Sequence, residues 1–186
     1  MVGLSSLVVP IVVSSVAAFV VSSVIHMVLP YHKSDYQALP SEASTLDALR
    51  KIGIPPGEYL FPRPQGMADM KSQAFQDKMA QGPVGMLTVR PPGPMAMGGP
   101  LLQWFVFCLV VGVFSAYVAG RVLAPGAHFA AAFRYTGTVA FAAYGVGRIP
   151  ESVWMWRKWS TTIKHMFDGV LLALATGLVF GWLWPR

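Results

Sequence analysis

Four stretches of the chain are long, apolar and almost free of charge. Residues 2–29 contain no Asp, Glu, Lys or Arg, and neither do residues 91–120. Roughly 20 apolar residues in a helix cross a bilayer, so residues 1–29 predict a first transmembrane helix. Pro10 should kink or shorten it near its start. The stretch has no basic leader and no small-residue cleavage motif, which makes it an uncleaved span. The prolines and glycines up to Pro100 read as the approach to a second span over 101–123. "LAPGAH" is then a tight turn. A third span follows over 127–148, with one cation, Arg134, and a fourth over 164–184, ending in "GWLWPR". A tryptophan pair followed by Pro and Arg suits a membrane–water interface. The expected fold class is an all-α membrane protein: a four-transmembrane-helix bundle with a small α/β insert between helices 1 and 2. The insert occupies 30–99, and helices 2–4 occupy 100–186.

The insert changes to the patterning of a water-soluble segment. "SEASTLDALRKIG" predicts a short helix, with Ser44 and Asp47 as a capping box, Leu46, Leu49 and Ile52 as its apolar face, and Gly53 as its stop. "GEYLFP" reads as a strand. "DMKSQAFQDKMAQG" reads as a helix, with Asp69 at its N-cap and Gly82 at its end. "VGMLTVRP" reads as a second strand. Two strands alone are marginal in water, so this unit should lean on the membrane, on the span ends or on a partner. Its seven cations and six acids nearly cancel, which excludes a polybasic lipid patch.

Small residues recur every four positions in each span: Gly169, Ala173, Gly177 and Gly181 in the fourth, and Gly112, Ala116 and Gly120 in the second. Ser14, Ala18 and Ser22 lie in the first, and Ala132, Thr136 and Ala140 in the third. Residues four apart share a helix face, and helices in lipid associate through close packing at such residues. These runs therefore read as packing faces rather than as the wall of a pore.

Composition agrees: 54% of the 186 residues are hydrophobic and 12% charged, against about 25% charged in soluble domains. The net charge of +6 does not point to nucleic acid, because the cations flank apolar runs. Lys33, Arg90, Arg148, Arg157, Lys158 and Lys164 fall on the side of the insert, and Arg121 and Arg186 on the side of the termini. The positive-inside rule then places the insert in the cytoplasm and both termini in the periplasm. Cys108, the single cysteine, lies in an apolar run and reads as a small buried hydrophobe. Met67, Met70, Met79, Met86, Met95 and Met97 could ligate Cu(I), but adaptable apolar contact is the plainer reading.

"RIPESVWMWRKWSTTIKHMFDG", residues 148–169, gathers four cations, two acids, a histidine and three tryptophans. As a membrane edge it makes sense: Trp154, Trp156 and Trp159 form an aromatic belt, and Arg157 and Lys158 meet anionic headgroups. With this topology, however, His26, His32, Asp35, Arg148, Glu151, His165 and Asp168 converge at one face. Such a polar cluster could hold a divalent metal or an acid–base pair. Asp168, about a turn inside the edge, needs a cation, with Arg148 or Lys164 placed to supply it. Arg134 has no acid on its side and should snorkel or meet backbone carbonyls. No sequence motif marks a metal site, a cofactor or a reaction.

"FDG…FGWLWP", "GPVGMLTV" and "LPYH" resemble a family of small bacterial inner-membrane proteins to which no activity is attached. The resemblance implies a bacterial cytoplasmic membrane and nothing about mechanism. The expected role is an accessory or scaffold protein whose insert docks another membrane or membrane-associated protein, among membrane lipids and without nucleic acid. The alternatives are a membrane enzyme or a metal- or lipid-binding protein using the polar cluster, and a small transporter.

Overall fold

The structure, a computed structural model, describes residues 1–186. It is 68% helical with one two-stranded sheet, and three of its helices are long and apolar enough to cross a membrane. The first runs over Leu4–Met27, a 3₁₀ turn leading into α1 (Val8–Met27), with Pro10 in its opening turns. A 3₁₀ turn over Pro30–Ser34 follows. Next come α2 (Glu42–Ile52), β1 (Gly57–Phe61), α3 (Met67–Met70), α4 (Gln73–Gln81) and β2 (Gly85–Val89). The remaining helices are α5 (Gly98–Val122), α6 (Phe129–Tyr144), α7 (Ile149–Trp154) and α8 (Trp159–Trp182).

Two compact units result. Gln37–Met95 is one, and Met1–Tyr36 with Ala96–Arg186 is the other. The boundary lies seven residues beyond the expected 30, because Tyr31 and Asp35 are bonded to α8. In the smaller unit β1 pairs antiparallel with β2, Gly57 opposite Val89 and Phe61 opposite Gly85. Both expected caps differ. α2 starts at Glu42 behind Ser41, so Ser44 and Asp47 lie inside the helix. α4 is capped by Ser72, whose hydroxyl accepts from the Phe75 amide. Asp69 instead lies in α3, accepting from the Gln65 amide. Ser72 is closer to the apolar Phe75 that anchors the helix, and a hydroxyl two to three residues upstream satisfies the orphan amides.

In the larger unit α1 packs on α5 and α8, and α6 packs on the same two. The Val2 amide donates to the Gly120 carbonyl at 2.8 Å, and the Gly126 amide to the Pro185 carbonyl at 2.7 Å. These bonds gather the chain ends and the α5–α6 turn at one end of the helices. The small-residue runs lie at the close approaches. A Cβ on Gly169 would sit 2.5 Å from the Gly145 Cα, one on Gly177 2.9 Å from the Phe133 carbonyl oxygen, and one on Gly120 2.6 Å from the Val2 carbonyl oxygen. Ala116, Ala132 and Ala140 are fully buried, and Cys108 is buried in the cluster that holds Ala18 and Ala140.

The expected third span of 127–148 is cut short. α6 has 16 residues, about 24 Å of helix against a hydrocarbon core of about 30 Å. It ends where Gly145 meets Gly169, and a 3₁₀ turn over Val146–Arg148 replaces its last turn. Glycine propagates a helix poorly, and the backbone contact with α8 fixes the break. Near the other end, Arg134 donates through Nε to the Ala130 carbonyl at 2.9 Å, so a backbone carbonyl is indeed its partner.

Candidate functional site

The polar cluster forms at the end of the helices away from the chain termini. α1 supplies His26 in its last turn, the 3₁₀ turn behind it supplies Tyr31 and His32, and α8 supplies Lys164, His165 and Asp168. The turn is clamped by Lys164. Its ammonium donates to the Tyr31 carbonyl at 2.6 Å, to the Ser34 hydroxyl at 2.8 Å and to Asp35 Oδ1 at 2.8 Å. Burial pushes the Asp35 carboxyl upward, but bonds from Lys164 and His32 outweigh it and hold the group below the usual carboxylate range. Burial, and then the bond to Asp168, push the Tyr31 phenol upward, so it stays a donor.

Each residue around the cluster's centre commits one polar atom outward. His26 Nδ1 lies 3.1 Å from the Ser22 carbonyl. A carbonyl only accepts, so Nδ1 carries the hydrogen and Nε2 keeps its lone pair. His32 Nδ1 lies 2.6 Å from Asp35 Oδ2, so in the neutral imidazole Nδ1 carries the hydrogen and Nε2 the lone pair. Tyr31 donates to Asp168 Oδ1, leaving Oδ2 to face inward. Arg157, which also binds Glu151, places Nη2 3.2 Å from His165 Nε2. A guanidinium cannot accept, so His165 carries its hydrogen on Nδ1, 3.5 Å from Asp168 Oδ2.

What remains is a mismatch. His32 Nε2 and Asp168 Oδ2 are 2.9 Å apart. Both atoms are buried, and neither makes a hydrogen bond. The distance alone would suggest a bond, but the angles do not: a hydrogen on Nε2 would not point at the oxygen. Asp168 is 4% exposed, and a carboxylate oxygen so buried is costly without a partner. One atom each from His26, His32, His165 and Asp168 lies within 4.8 Å of every other. The His26 and His32 rings stack at 4.7 Å.

The expected site residues therefore separate into two groups. His26, His32, Asp35, His165 and Asp168 come together. Arg148 and Glu151 pair beside them at 2.8 Å, and Arg157 joins them. The expected cation for Asp168 is a correction: Arg148 is taken by Glu151 and Lys164 by Asp35, so Asp168 faces Tyr31, His32 and His165 instead. The turn after α1 brings Tyr31 and His32 over α8, and one-dimensional distance along each helix could not show that. Sequence reasoning missed Tyr31, although it adjoins His32 in "LPYH". Trp154, Trp156 and Trp159 point away from the cluster, 74%, 86% and 54% exposed.

Beside the cluster lies a cavity of about 680 Å³. His26, His165 and Asp168 form one part of its wall, and Leu101, Trp104, Phe107, Tyr144 and Leu172 form much of the rest. Trp104 is fixed by its Nε1 donating to the Ser22 hydroxyl at 2.7 Å. Ser22 thus orients two wall residues, Trp104 through its hydroxyl and His26 through its carbonyl. Compared with protein-family profiles, with curated proteins and with solved structures, the chain matches none.

Proposed function

We propose that the protein is an integral membrane metalloprotein, with one divalent transition-metal ion held by His26 Nε2, His32 Nε2 and Asp168 Oδ2. The observation that carries this reading is the unbonded pair of His32 Nε2 and Asp168 Oδ2, 2.9 Å apart. Two lone-pair atoms that close repel unless a cation lies between them. Ligands at right angles on a metal at about 2.0–2.1 Å would lie about 2.9 Å apart. The outer contacts support it as well, since a ligating histidine usually donates its other ring N–H to a carboxylate or a backbone carbonyl. His32 does so to Asp35, and His26 to Ser22. Two imidazoles and one carboxylate suit zinc, iron or manganese. Three protein ligands leave positions open for water or a substrate. The ion would supply Lewis-acid chemistry there, which makes a membrane enzyme the natural extension. Purified in a neutral detergent without chelator, the protein should carry about one equivalent of a transition metal by elemental analysis. Less than about a tenth of an equivalent, before and after incubation with Zn²⁺, Fe²⁺ and Mn²⁺, would refute the metal centre.

In this reading α6 crosses the membrane with the three long helices, its 3₁₀ extension completing the passage. The cations around the cluster support a cytoplasmic position for it, with both termini periplasmic. A periplasm-active reporter fused after Arg186 should be active, and one inserted near Gly66 silent. The reverse pattern would invert the orientation.

An accessory role remains a second reading, favoured by the unit Gln37–Met95. Phe75 is its one buried side chain. A unit with so small a core is marginal alone, and a protein partner would complete it. Backbone amides of β1, α4 and β2 should then exchange at least about tenfold more slowly in native membranes than in purified protein. Equal exchange would remove this reading and leave the metal centre untouched.

A further inference from the structure

The cavity beside the cluster has the shape and chemistry of a site for an amphiphile. Its 680 Å³ lies within the range of about 300–1,000 Å³ typical of small-molecule sites. One end carries His26, His165, Asp168 and Arg148; the rest of the wall is almost wholly apolar. Two residues of its wall, Leu101 and Phe107 on α5, are 41% and 39% exposed, on a helix whose outer surface is apolar. The cavity therefore opens toward the hydrocarbon phase, while its polar end lies at the membrane edge.

Charge sets the nature of the head group. Three cations, Arg148, Arg157 and Lys164, stand against three carboxylates: Glu151 takes both arginines, Asp35 takes Lys164, and Asp168 faces His32. A divalent ion on His26, His32 and Asp168 would leave two positive charges uncompensated in a place of low dielectric, which is costly. An anion in the open coordination position offsets them. We infer that the cavity takes a lipid with an oxyanion head, its phosphate or carboxylate on the metal and its chain along the apolar wall formed by Leu101, Trp104, Phe107, Tyr144 and Leu172. This inference rests on the proposed metal centre and adds the class of ligand.

Native mass spectrometry from dodecyl maltoside tests it, because a single spectrum reports the metal and the lipid separately. Dodecyl phosphate, dodecanoate and dodecanol are the probes. The metal-loaded chain should gain one dodecyl phosphate or one dodecanoate at a concentration at least about tenfold below that needed for dodecanol. Whichever anion binds more tightly identifies the head group. Leu101→Trp, and independently Ala143→Leu, should keep the metal and lose the lipid, since each fills the cavity away from the ligands. Equal binding of dodecanol, equal binding to metal-stripped protein, or unchanged binding in both filled variants would overturn the inference. A wild-type chain that takes no metal would instead defeat the metal centre.

Discussion

Asp168→Asn should strip the metal from a protein that still accumulates in the membrane. The side chain keeps its size, and its carbonyl oxygen can still accept from Tyr31, so the turn that carries His32 stays docked through Lys164 and Asp35. The charge facing His32 Nε2 is lost. Removing a ligand should weaken metal binding by more than about 100-fold, beyond the 10–100-fold typical of losing an outer-shell partner. Asp35→Asn provides that comparison: it leaves all three proposed ligands in place and weakens the hold on His32 and the Lys164 bond that helps dock its turn. Metal titration of the two variants, with membrane abundance measured in parallel, gives an ordered series of wild type, Asp35→Asn and Asp168→Asn. Full metal content in Asp168→Asn would refute the assignment. Loss of abundance restored by His32→Gln would make Asp168 a structural counter-charge to His32, and metal content would then be incidental to it.

Gly169→Ala should be the most destabilising single-atom change in the helices. The added Cβ would lie 2.5 Å from the Gly145 Cα, 2.6 Å from its nitrogen and 2.9 Å from the Tyr144 carbonyl carbon. Those neighbours are backbone atoms at the end of α6 and cannot swing aside as a side chain would. Overpacking of this kind usually costs about 1–3 kcal/mol when side chains can adjust, and a cost at or above the top of that range is expected here. Gly169 also follows Asp168, so moving α8 away from α6 shifts a proposed ligand. The variant should lose both thermal stability in detergent and bound metal. Val170→Leu is the control, because Val170 is 38% exposed and one more methylene there meets lipid. A Gly169→Ala protein as stable as wild type would show that α6 and α8 can separate at no cost.

The apolar runs, read as sequence, determined where the three long helices lie, because a charge-free stretch longer than the bilayer thickness has few other stable conformations. They also determined the small-residue faces, since a four-residue period is a property of one helix and needs no neighbour. The helix and strand positions in the unit Gln37–Met95 follow similarly from local pattern. Tertiary contact decided the rest. The end of α6 depends on where α8 approaches Gly145, a contact between positions 24 residues apart in the chain. The caps of α2 and α4 depended on which of several polar residues satisfied the first amides. The histidines and acids at the helix ends were legible as residues of similar depth, but their pairing was not. Lys164 could have matched Asp168 on its own helix, and instead bonds Asp35 because the 3₁₀ turn after α1 folds over α8. That turn leaves one nitrogen of His32 and one oxygen of Asp168 facing each other without a hydrogen bond between them. Which atom of a side chain is satisfied, and which is left over, is a matter of angles in three dimensions, and no spacing along the sequence encodes it.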